Sequence, residues 1–200
     1  MLTNECERMV REFQTRILGW DSMPSNAPEV ASLRAALIQE ELWETVAAMR
    51  RNDFVEVADG LADLMYVVVG AGLATGARVP DCFVDPLPSD DALRMLSFQA
   101  DSAYWAATVT QSLLDATMSH RGPDSSYRLG IALRGLAGLI ARTAQMWDIP
   151  LKEVFIEVHR SNMTKTPAKT ALGQKGGAKG PEYQPPDVMG VLVKAGLLTA

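Results

Sequence analysis

Two groups of acidic residues lie close together in the chain, Glu40, Glu41 and Glu44, then Glu56, Asp59 and Asp63. Each residue of an α-helix turns the chain by about 100°. On helices the first group therefore spans an arc of about 100° and the second an arc of about 60°. Apolar stripes border both arcs: Leu37, Ile38, Leu42 and Val46 on one side, Val55, Leu61, Leu64 and Met65 on the other. If the two helices fold back on each other, the carboxylates meet beside the core. Like charges at ~5 Å repel by roughly 3 kcal/mol per pair at an effective dielectric near 20, so such a gathering calls for a cation. A solvated helix face would instead carry basic partners one turn on. No Lys or Arg stands four residues after Glu40, Glu41, Asp59 or Asp63. A ligand set made only of carboxylate oxygen suits Mg²⁺ or Mn²⁺ rather than zinc. A di-iron bundle would need a His three residues after a Glu, and neither His120 nor His159 has one there.

The second constellation is Glu157-Val-His-Arg-Ser-Asn-Met-Thr-Lys165 and the basic stretch after it. Arg160, Lys165, Lys175 and Lys179 are donors with no acceptor capacity, suited to phosphate oxygens. Cations at a helix C-terminus also complement the dipole, which accounts for Arg160 and Lys165 but not for the glycine-spaced lysines beyond. His159 by itself reads as structural. Among the aromatic residues, Phe13 and Trp43 read as core, and Trp20, in a polar loop, reads as the candidate for stacking a base.

The elements that must position these residues are helical. Apolar spacing predicts helices over 3–18, 29–51, 54–74, 89–120, 124–148 and 151–162, with a short terminal helix or strand over 188–198 packing on a partner. Gly60, Gly70 and Gly72 inside the third helix each cost up to about 1 kcal/mol relative to alanine, and they mark places where helices approach closely. No β-alternation of useful length occurs, so an all-α antiparallel bundle follows. The expected organisation is one domain over 1–165, with 81–148 as an extra helical pair, and a Lys/Gly/Pro-rich arm over 166–200. That arm is expected to be flexible unless an anion orders it. It lacks the Gly-Lys-Ser/Thr ending of a P-loop. A faint internal echo pairs Gly60-Leu-Ala-Asp-Leu-Met with Gly135-Leu-Ala-Gly-Leu-Ile; if it is a duplication, the second copy has lost its acids and serves as scaffold.

Two hundred residues with 48% hydrophobic content can build a proper core. A net charge of -5 gives no electrostatic footprint for nucleic acid. Cys6 and Cys82 are too few for a disulfide framework. The apolar run Leu64 to Ala74 is short for a membrane span, and no secretory signal is evident. These features imply a reduced, cytoplasmic protein (host cytoplasm, if phage-encoded) with no membrane partner.

Glu40-Glu41-x-x-Glu44, followed by Asp59-Gly-Leu-Ala-Asp63-Leu-Met-Tyr-Val, resembles the MazG-like all-α nucleoside triphosphate pyrophosphohydrolases. The segment Glu157 to Lys165, with Lys179-Gly-Pro-Glu-Tyr183-x-Pro-Pro-Asp187, is similar to the tail of a phage and bacterial branch of that family. The resemblance covers about 5–80 and 149–187. It implies hydrolysis of (d)NTPs between the α and β phosphates, a metal on Glu41, Glu44 and Asp63, and a homodimer or homotetramer. It also implies Glu40 as a ligand or as the base that activates water, and phosphate held by Asn162 and Lys165. The family's usual Glu-x-x-Asp would put an acid at position 60, where this chain has Gly60. Asp59 is the substitute, and Glu56-x-x-Asp59 is a second way to read the motif. On the chemistry of the residues, Glu41, Glu44, Asp59 and Asp63 bind metal and Glu40 or Glu56 holds the water. Arg160, Asn162, Lys165, Lys175 and Lys179 bind the phosphates, with Tyr183 and Trp20 completing the substrate site. The phage relatives include enzymes that act on dGTP or GTP, others directed at dUTP, and broad enzymes; a purine is the preferred expectation. Two readings rival this one: a non-catalytic helical scaffold that binds nucleotide or a partner helix, and a member of the family that acts on a phosphoribosyl-nucleotide.

Overall fold

The computed structural model describes residues 5–20, 28–77, 79, 96–118, 123–167 and 177–199. Within them the chain is all-α, with a single isolated bridge pair between Thr166 and Ala178.

Helix α1, Glu5–Arg16, buries Cys6, Met9, Val10 and Phe13 and is stopped by Gly19 in the left-handed region at φ 66°. Helix α2, Pro28–Arg51, and helix α3, Phe54–Thr75, form a hairpin. Its turn is made by Asn52 at φ 54°, a conformation asparagine tolerates well, and by Asp53, whose carboxylate caps α3 by accepting from the Glu56 N–H. Gly76, at φ 73°, ends α3. A second hairpin follows: α4, Leu96–Met118, and α5, Pro123–Met146. It lies with α4 on α2 and α5 on α3. The expected helix over 89–120 thus begins no later than Leu96, and its first residues lie outside the described ones. Helix α6, Leu151–Asn162, and helix α7, Val188–Lys194, complete the set.

Helix α3 is the centre of the molecule, touching α1, α2, α5, α6 and α7. By length and composition alone it could cross a membrane, although the run Leu64 to Ala74 looked too short. In the fold 72% of its apolar window is buried against the other helices. Close approach is built by glycine. A Cβ on Gly60 would stand 2.6 Å from the Thr45 hydroxyl oxygen on α2, and one on Gly135 2.6 Å from the Trp105 ring on α4. The echoed glycines thus do the same work in the two hairpins, and the second hairpin carries no acid cluster at its crossing.

The C-terminal arm departs from expectation. Residues 177–187 are tied to α6 by the protein itself. The Ser161 hydroxyl donates to the Gln184 carbonyl at 2.7 Å, and the Asp187 N–H donates to Glu157 Oε1 at 2.7 Å. Thr166 and Ala178 exchange backbone hydrogen bonds. No anion is needed to order this half of the arm. Helix α7 then buries Val188 and Leu192 against this chain's own α3 and α6.

Candidate active site

The hairpin brings Glu40 and Glu41 of α2 to the same cleft as Asp63 of α3. A cleft with a cavity of about 160 Å³ runs between α2 and α3, closed by α1 and by the end of α6. It is smaller than the roughly 300–1,000 Å³ of sites that enclose a drug-sized ligand, so it admits part of a nucleotide-sized molecule. Glu40, Glu41, Asp63, Asn162 and Lys165 line it. The cleft thereby joins the two constellations separated by about a hundred residues of sequence.

The electrostatics are those of crowded acids short of cations. Burial pushes the Glu41 carboxyl up to about 7, helped by the charges of Glu44, Glu40 and Asp59 and opposed by Lys165. Asp59 is pushed up to about 6 by burial and by Glu56, with Lys179, then Lys165, pulling the other way. Asp63 lies well above its ordinary 3.8, first through burial, then through Asp59 and Glu41. Glu41, Glu44, Asp59 and Asp63 therefore share one field, with Lys165 as the cation that Glu41, Asp59 and Asp63 all feel. Asp59 Oδ1 is buried with no hydrogen-bond partner, a costly state for a carboxylate oxygen unless a cation meets it. An all-oxygen donor set with an orphaned oxygen fits Mg²⁺ or Mn²⁺. Among the described residues, however, no three Asp, Glu, His or Cys side chains stand close enough together to close a metal site as they are placed.

The other expected residues are placed as follows. Glu44 is exposed at the rim, as is Glu56, whose charge acts on Asp59. Lys179 lies 5.1 Å from the centre of the Tyr183 ring, and its charge reaches Asp59. Lys175 lies outside the described residues. Arg160 is placed otherwise than expected for a phosphate ligand. Its guanidinium donates to both carboxylate oxygens of Glu157 and to Gln184 and the Pro185 carbonyl, which makes it a fastener of the arm. Trp20 carries the Arg34 guanidinium over its ring at 4.6 Å, so that face is covered by the protein. Trp43, read as core, is 55% exposed, whereas Phe13 is buried.

Two residues of the cleft escape a sequence reading. Tyr66 lines it and hydrogen-bonds His159 Nδ1 at 3.0 Å and Asn162. It packs edge-on to Phe13 and beside Phe155. This fixes His159 as a structural residue that holds Tyr66 and, through it, Asn162. Arg34 is the second. It stands seven residues before Glu41, hence on the same face of α2, and that phase was the available signal.

With the geometry in hand, the comparisons are specific about one part of the chain. Residues 10–84 match the family model of phosphoribosyl-ATP pyrophosphohydrolase. That family is one of the MazG-like all-α pyrophosphohydrolases, and the matched residues hold α2, α3 and every acid of the cleft. An uncharacterized protein of Acanthamoeba polyphaga mimivirus is 27% identical over 151 residues, covering 69% of this chain and 59% of that protein. The chain thus spans about three fifths of that relative's length. No solved structure matches.

Proposed function

We propose that the chain is a metal-dependent nucleoside triphosphate pyrophosphohydrolase, converting a (d)NTP and water to a (d)NMP and pyrophosphate, with dGTP or GTP as the preferred substrate. The observation that carries this reading is the meeting of Glu41, Asp63, Asn162 and Lys165 in one cleft, within the residues that match a pyrophosphohydrolase family. Glu41, Glu44, Asp59 and Asp63 would hold Mg²⁺ or Mn²⁺, which neutralises phosphate charge and the charge that develops on the leaving group. Lys165 and Asn162 bind the phosphate chain from the opposite wall. Lys179, presented by the strapped arm, adds a cation at the acid rim. Glu40, which lines the cleft, would orient the attacking water, and its lining of the cleft supports it over Glu56, which is exposed. Catalysis of phosphoryl transfer is largely positioning and charge stabilisation, and these residues supply both.

A second reading comes from the matched family itself: cleavage of a phosphoribosyl-nucleotide at the corresponding phosphoanhydride. One experiment separates them. Pyrophosphate release is measured over dGTP, GTP, dUTP, dATP and phosphoribosyl-ATP with Mg²⁺ or Mn²⁺. Turnover of a (d)NTP supports the first reading, turnover of phosphoribosyl-ATP alone the second, and a flat panel the non-catalytic scaffold. Glu44→Gln should lower kcat by at least about 100-fold with helix content unchanged, as expected for loss of a group that stabilises transition-state charge. Full activity in that variant would remove Glu44 from the site. The family also leads us to expect a homodimer or homotetramer, which light scattering at micromolar concentration tests.

A further inference from the structure

Arg34 has the burial of a core residue and the chemistry of a ligand-binding one. It is 5% exposed, and its Nε and Nη2 are buried with no hydrogen-bond partner. Among the described residues no acid offsets its charge, and burial pulls its pKa down to about 10. The rest of the guanidinium is accounted for. Trp20 covers a face at 4.6 Å, and Nη1 faces Gly70, where an added Cβ would come within 3.1 Å of it. Gln14, beside it, is held by donating to the Gly70 carbonyl at 3.2 Å. An unpaired buried guanidinium is unfavourable until an acceptor meets it.

The unmet atoms indicate what that acceptor is. Nε–H and an N–H of Nη2 project in parallel from one edge of the guanidinium, a fork that matches two acceptors side by side. Phosphate, carboxylate and the O6/N7 edge of guanine all present such a pair. Position and surroundings decide among them. Arg34 lies about 10.5 Å of helix rise from Glu41, along the same cleft that Glu41, Asp63 and Lys165 line. The cleft that Arg34 lines also carries Val10, Leu18, Leu37 and Val67, with Gln14 as a neutral polar group, a lining that favours a flat base over a charged phosphate. Adenine offers N7 beside an N–H donor, so one arm of the fork would face a donor.

We propose that Arg34 reads the base of the substrate, its Nε–Nη2 edge pairing with O6 and N7 of guanine. This rests on the reading of the cleft as a nucleotide site and names the base that site selects. The test is equilibrium binding to the full chain with Mg²⁺ of dGMP, dAMP, dCMP, dTMP and 7-deaza-dGMP, which lacks the N7 acceptor. Wild-type protein should bind dGMP about tenfold or more tighter than the other three bases, and 7-deaza-dGMP should lose most of that advantage. Arg34→Met, with helix content checked by circular dichroism, should bind all of them alike. The proposal is overturned by tighter binding of another base, or by indifference to N7. It is overturned equally if Arg34→Met keeps the dGMP preference, or if it loses affinity for every nucleotide by the same factor, the mark of a phosphate contact. Should Arg34→Met not fold, the 7-deaza comparison on wild-type protein decides alone. Guanine-selective binding without pyrophosphate release would sink the hydrolase reading and leave Arg34 in place. Hydrolysis without base preference would do the reverse.

Discussion

A side chain at position 60 has nowhere to go. The Cβ of any other residue would stand 2.6 Å from Thr45 Oγ1 and 3.2 Å from Thr45 Cα. That hydroxyl is already engaged, donating to the Glu41 carbonyl at 2.7 Å. The acid that the family motif places here is therefore excluded by the crossing of α2 and α3, and Asp59, one residue earlier, faces the acidic field instead. Gly60→Ala weighs two effects against each other. Helix propensity gains up to about 1 kcal/mol, while overpacking a tight contact costs about 1–3 kcal/mol. We expect a net loss of up to about 2 kcal/mol, read as a lower urea midpoint at unchanged slope. Gly60→Asp should be worse and should not add a ligand. A variant of unchanged or higher midpoint would mean that Thr45 can move aside and that the crossing does not account for the glycine.

At the scale of elements, legibility followed the range of the interactions. Helices α2 and α3 were readable because their apolar stripes repeat locally, and Asn52-Asp53 announced the turn that brings the acids together. Lys165, just beyond α6, was readable as a phosphate donor from its chemistry, but Asn162 only through resemblance, since nothing local says which helix they face. The strap was not legible at all. It depends on pairings such as Ser161 with Gln184 and Glu157 with Asp187, whose partners mean nothing until the chain has folded. The same holds for Arg160 and Arg34. A basic residue beside an apolar stripe reads as solvent-directed, and only the closed fold shows the first fastened to Gln184 and Pro185 and the second buried with no acid partner among the described residues. The strap carries its own prediction. Each hydrogen bond is worth about 1 kcal/mol net, so Glu157→Ala combined with Ser161→Ala should release residues 177–187 without unfolding the bundle. Hydrogen exchange should quicken in that segment and stay unchanged in α3. KM for the nucleotide should rise several-fold, with kcat less affected, as Lys179 leaves the acid rim. Unchanged exchange over 177–187 would show that other contacts hold the arm.

For the whole molecule, the acids gathered at the cleft set a dependence of stability on pH and on divalent cations. The Glu41 and Asp59 carboxyls lie at about 7 and about 6 in the folded chain, against ordinary values of 4.5 and 3.8, and Asp63 is also raised. Between the ordinary and the raised values the folded state binds more protons than the unfolded one. Stability therefore falls as pH rises through that interval, and the Glu41 part of the fall is complete above about 7. His159 works in the opposite sense. Burial lowers its pKa below 6.5, so its contribution grows with pH up to that value. A comparison with Glu41→Gln cancels the His159 part, because both proteins retain it. In metal-free buffer the Tm of wild-type protein should fall between pH 5 and 7.5 relative to that of the variant. Mg²⁺ or Mn²⁺ at 100 times its Kd should restore about 2.7 kcal/mol. The restoration should be largest at pH 7.5, where the carboxylates are ionised, and should be small at pH 5. Equal Tm shifts at both pH values would mean that the cation binds elsewhere. A wild-type slope matching that of Glu41→Gln would show that the raised carboxyl at position 41 is not what links folding to pH.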